Sequence, residues 1–171
     1  MKQAKTILKN FRGSNYEVGT QIGNWLLSNP VLLQKVLLPP KNYLQNKLDE
    51  IMSLLDQYCS GVNDEIKGFS DVLGIEYSQA IFYAMTYLDR GCSLMAVLPL
   101  KTENGHTLMA RNYDFNDEME EMCFAYTEID GKNKYIGSIL NLFGRCDGMN
   151  EYGLAVCKAS NGLPVGNFEG G

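Results

Sequence analysis

The chain changes texture once, at Cys92, and any fold it adopts has to accommodate that seam. Before it, apolar residues recur at helical spacing: Ile22, Trp25 and Leu26, then Leu44, Leu48, Ile51, Leu55 and Tyr58, then Ile81, Phe82, Met85 and Leu88. After it, short alternating segments punctuated by glycine read as strands over 93–98, 107–113, 122–129, 134–142 and 153–159. Asn104-Gly105 and Asp130-Gly131 each predict a hairpin turn. The class is therefore α+β, with a helical segment at 1–91 and a β-rich one at 92–171.

Local punctuation refines the helical segment. Residues 4–11 alternate loosely and predict a short strand. Ser14 with Glu17 three positions on forms a capping box, so a helix starts there, with nearby glycines for close packing. Leu37-Leu38-Pro39-Pro40 breaks the chain. Asn63-Asp64-Glu65 predicts another cap, Gly74 the stop of the helix it opens, and Ser78 the start of a last helix leading to Gly91. Phe82, Tyr83 and Tyr87 have core spacing; lining a pocket is the alternative.

A cysteine on the seam, directly behind a glycine, has chemistry available to it. Thiolate is the nucleophilic form, and a free cysteine titrates near 8.5. If the Gly91–Cys92 bond were cut, the new α-amine, titrating at about 7.7–8.0, would serve as base for the thiol. Gly91 offers an unhindered carbonyl for the initial attack. Pairing of 92–98 with 106–114 brings Cys92 near Asp114. In a regular strand Arg111 and Asp114 point to opposite faces, so both reach Cys92 only if the strand bends or ends there. One would favour the thiolate while the other orients the amine. The plainer alternative is that Cys92 is a small buried apolar residue opening a strand, with Arg111 and Asp114 on the surface. His106, the single histidine, follows a turn and reads as an exposed strand-end residue. Five cysteines without a Cys-x-x-Cys pair argue against a disulfide framework or a zinc site.

Gly91-Cys92-Ser93 followed by Ala110-Arg111-Asn112-Tyr113-Asp114-Phe115 resembles the isopenicillin N acyltransferase-like family of N-terminal nucleophile hydrolases. That family is related to the choloylglycine hydrolases. The stretch from Gly13 to Gly23 is similar to the acyltransferase-like family's opening motif, and Asp147-Gly148-Met149-Asn150-Glu151-Tyr152-Gly153-Leu154 to a choloylglycine hydrolase motif. The resemblance implies an αββα sandwich and self-cleavage before Cys92. It also implies a cysteine amidohydrolase or acyltransferase acting on linear, non-peptide amides through an acyl-thioester enzyme. Arg111 and Asp114 carry over as the groups that tune and orient Cys92. Asn161 is the nearest match to the family's oxyanion-stabilising Asn, with Ser160 as the alternative. No cofactor is implied; the partner is a small-molecule amide or acyl-thioester substrate.

A net charge of −5 with scattered basic residues shows no nucleic-acid face, and no apolar run approaches membrane-spanning length. The N-terminus lacks the apolar middle of a signal peptide, so a cytoplasmic location is expected. The oligomeric state is left open, a homo-oligomer included. Acid residues at 117–121 read as a solvated loop, with calcium binding the lesser alternative. The stretch after Cys92 is too short for two sheets and an outer helical layer, so a truncated chain is expected. The competing reading is a catalytically silent fragment acting at most as an interaction module.

Overall fold

The computed structural model describes residues 6–30, 33, 45–76, 92–113, 122–139, 145 and 147–159, with the backbone alone at 45–47, 92, 113 and 122. Strand β1 (Thr6–Gly13) leads into helix α1 (Asn15–Leu27). Ser14 Oγ accepts from the Glu17 N–H at 3.3 Å, and Glu17 Oε2 accepts from the Ser14 N–H at 2.7 Å. The predicted capping box is therefore formed. Ser14→Ala should lower stability by about 1 kcal/mol in urea denaturation.

Helices α2 (Gln45–Tyr58) and α3 (Val62–Leu73) follow. The start of α3 differs from the sequence expectation: its cap is Gly61, at φ 86°, not the Asn63-Asp64-Glu65 triplet. That backbone conformation strains any residue with a side chain, and a Cβ on Gly61 would also stand 2.3 Å from the Asn15 side chain of α1. Asn63 instead ties the two helices together, donating to the Met52 carbonyl at 2.8 Å and to Asp56 Oδ1 at 2.6 Å. Gly74 ends α3 in the left-handed conformation, as expected.

The sheets are β2 (Cys92–Val97), β3 (Leu108–Tyr113), β4 (Met122–Ile129), β5 (Tyr135–Ile139), β6 (Asp147–Asn150) and β7 (Ala155–Cys157), with β1. Five of them form one mixed sheet in the order β1-β4-β5-β6-β7, with β1 parallel to β4 and the rest antiparallel. The other two, β2 and β3, form the predicted hairpin, whose connection includes a short 3-10 turn at Pro99–Lys101.

Alternation along β4 buries Cys123, Ala125, Thr127 and Ile129 on one face. Cys123, Ala125 and Ile129 pack with Phe11, Val18, Ile22, Trp25, Leu26, Ile66, Phe69 and Ile139 in one core. Each large apolar side chain there contributes about 1.5–3 kcal/mol by leaving water. Residues from both sides of the Cys92 seam thus share a core, and the class is α+β.

Strand β6 is absent from the sequence reading, and the predicted end of β5, at 140–142, lies outside the described residues. Asp-Gly-Met-Asn has no apolar alternation to announce a strand. What it has is Gly148, which faces Gly137 directly across the ladder. A Cβ on Gly137 would stand 2.4 Å from the Asp147 carbonyl, so the two backbones approach where side chains would separate them. Asn150 Oδ1 then accepts from the Tyr152 and Leu154 N–H groups and shapes the turn into β7. The chain break at 37–40, the helix expected from Ser78 and the acidic loop at 117–121 lie outside the described residues.

Candidate active site

The seam opens β2. Cys92 pairs with Tyr113, and Leu94 with Arg111. Directly opposed residues share a face, as do residues two apart on one strand. The register therefore puts positions 92 and 111 on one face of the hairpin as diagonal neighbours, about 7–8 Å apart in a regular antiparallel pair. Gly91, Asp114, Ser160 and Asn161 lie outside the described residues. His106 is exposed in the hairpin connection, where its N–H donates to Asn104 Oδ1 at 3.1 Å.

Arg111 has a partner that sequence reasoning did not find. Its Nη1 lies 2.9 Å from Asp147 Oδ2, and its side chain is only 8% exposed. Asp147, 27% exposed, opens β6 in the five-stranded sheet. The bridge therefore links the hairpin carrying Cys92 to the larger sheet. Asp147 Oδ1 is held in turn by Ser138, whose N–H donates at 3.1 Å and whose Oγ donates at 2.5 Å. Alternation from the buried Gly137 and Ile139 puts Ser138, and Asp147 opposite it, on the sheet face turned away from the helices. Asp147 stood in a quoted motif, yet no spacing rule connects it to an arginine 36 positions earlier.

The network sets the charge state of Asp147. Burial alone would raise its carboxyl. Hydrogen bonds from the Ser138 side chain and backbone, then from Arg111, outweigh that and hold it below the usual carboxylate range. A depressed folded-state value means that this stabilisation is present above the unfolded value, near 3.9, and is lost as pH falls through the folded one.

A cleft of about 570 Å³ borders Asp147 on the other side of β6, lined also by Glu65, Tyr135 and Arg145. Arg145 Nη2 donates to Thr127 Oγ1 at 3.0 Å, and its guanidinium stands 5.7 Å from the centre of the Tyr135 ring. Glu65 is 7% exposed. Burial raises its carboxyl above the usual range against the pull of Arg145 and Lys132. A raised folded-state value means that its contribution is fully present below the unfolded value, near 4.3, and is lost as pH rises through the folded one. Glu65→Gln should therefore be more stable than the parent at pH 7 and equal to it near pH 4, read from urea midpoints at both pH values.

Residues 100–163 match the model of a family described as acyl-coenzyme A:6-aminopenicillanic acid acyl-transferase. The match takes in Arg111, Ser138 and Asp147 and begins after Cys92. No curated protein matches the chain. The part of the chain that holds the Arg111–Asp147 bridge is thus similar to an acyltransferase family. Among the described residues no helix is long and apolar enough to cross a membrane, and no cluster of His, Cys, Asp and Glu is arranged to hold a metal ion.

Proposed function

We propose that the chain is a cysteine N-terminal nucleophile enzyme that cuts itself between Gly91 and Cys92 and then hydrolyses or transfers the acyl group of linear, non-peptide amides. Segments 1–91 and 92–171 are the two products of that cut. The freed α-amine of Cys92 takes the thiol proton, and the thiolate attacks the amide carbonyl. The leaving amine departs with a proton, and a thioester remains. Water or a second amine then takes the acyl group. Arg111 tunes the thiol, Asp114 orients the amine, and Asn161 stabilises the oxyanion. The chemistry needs no cofactor, and we assign it to the cytoplasm.

The observation that carries this reading is the β2–β3 register, which sets Cys92 diagonally beside a buried arginine on one face. The acyltransferase-family match over 100–163 supports it. An αββα sandwich is the fold we propose for it. Helices on one face of the five-stranded sheet, with the hairpin bridged to the opposite face, agree with that layering.

The test is intact-mass measurement of the freshly purified chain, followed by incubation with a small panel of N-acyl amides. Two masses summing to the parent plus one water, with the acyl group trapped on the 92–171 product, are expected. One uncut mass and no acyl adduct would remove the reading.

A further inference from the structure

We infer that Asp147 is a positioning residue for Cys92: it fixes the direction of the Arg111 guanidinium and limits how much of its charge reaches the nucleophile. This deepens the proposed function and rests on it. A long arginine side chain diagonal to Cys92 has several staggered rotamers open to it. Burial to 8% exposure and a 2.9 Å contact to Asp147 Oδ2 select one. Asp147 cannot swing away freely, because Oδ1 is occupied by both the N–H and the Oγ of Ser138. The chain of contacts thus runs from a rigid strand of the larger sheet, through a carboxylate, to a cation on the face that carries Cys92.

Electrostatics gives the arrangement a second consequence. A cation on the strand face that carries a thiol favours thiolate and lowers its pKa. The Asp147 anion behind that cation opposes the effect. The Cys92 thiol is then left close to its own α-amine in proton affinity, as transfer between the two requires. Glu65, Lys132, Arg145 and Lys158 border the cleft next to Asp147. They are unchanged in the variants below, so their fields drop out of the comparison.

The experiment uses the full chain and reads the pH dependence of Cys92 alkylation by iodoacetamide, with kcat and KM for one amide substrate. Asp147→Asn keeps the shape and removes the charge. Its alkylation profile should move to lower pH by about one unit, the scale of one uncompensated charge nearby. Its kcat should fall about 10²-fold with KM little changed, because Arg111 loses its fixed direction. Asp147→Glu restores the charge, so its alkylation profile should return to the parent position. A purely structural carboxylate would lower the melting temperature and leave the profile and kcat where they were, which would overturn the inference.

If Asp147→Asn does not fold, Ser138→Ala takes its place. The carboxylate keeps its charge but loses one of its two holding donors, so kcat should fall several-fold at an unchanged profile. An unchanged kcat overturns the inference. A parent chain that neither cuts itself nor turns over substrate defeats the proposed function itself. A working parent with an indifferent Asp147→Asn defeats only the role of Asp147.

Discussion

Cys92→Ala should stay a single uncut chain and lose amide turnover by about 10⁴-fold or more, the usual scale for deleting a nucleophile that acts with its own base. Both losses have one cause. The thiol that would attack the Gly91 carbonyl in processing is also the group that would attack the substrate. The controls come from the other cysteines. Cys59 is exposed and Cys157 half-buried, so alanine at either should leave cutting and turnover at parental levels. Cys123 is buried in the core and makes a poor control, because its replacement disturbs packing. A Cys92→Ala chain that is still cut at the same bond, read by intact mass, would remove Cys92 as the attacking group.

Gly68→Ala, together with Gly19→Ala, should be strongly destabilising for a single-methyl change in the helical part. Helices α1 and α3 cross at Gly19 and Gly68. A Cβ on Gly68 would stand 2.1 Å from the Tyr16 carbonyl oxygen, and one on Gly19 would stand 1.9 Å from that of Glu65. Both obstacles are backbone, so a rotamer change cannot relieve them. The helices would have to separate, loosening Val18, Ile22, Ile66 and Phe69, all fully buried. A loss of about 3 kcal/mol, the upper end for overpacking, is expected. It exceeds the roughly 1 kcal/mol that alanine gains over glycine in helix propensity. Gly74→Ala makes a useful contrast: nothing lies within 4 Å, and only its φ of 64° resists the change. That variant should lose about 1–2 kcal/mol. Equal melting temperatures for Gly68→Ala and the parent would contradict the crossing.

The legible parts of the site and the fold have a common character. Ser14 and Glu17 meet three residues apart, and Gly74 turns the chain where a left-handed residue is required. Asn104-Gly105 lies in the connection of a hairpin whose strands follow from alternation. Residue types and the family resemblance together point to Cys92 and Arg111, and the hairpin register sets the two positions on one face. The misses share a character too. Asp-Gly-Met-Asn gives no strand signal, because Gly148 is there to let β5 and β6 approach. Asn63 looked like a cap because of its side chain, but its amide is engaged with α2.

The sequence by itself determined the α+β texture, the cap of α1, the stop of α3 and the β2–β3 hairpin, all through interactions spanning a few residues or one turn. Only the tertiary structure decided that β1 lies parallel to β4 and that residues from both sides of the seam share a core. It alone decided that Glu65 is buried beside a cleft and that Arg111 is held by Asp147 and Ser138. Those contacts join residues far apart in the chain. A local pattern records which partners a residue can accept, whereas the packing of sheets and helices selects the one it meets.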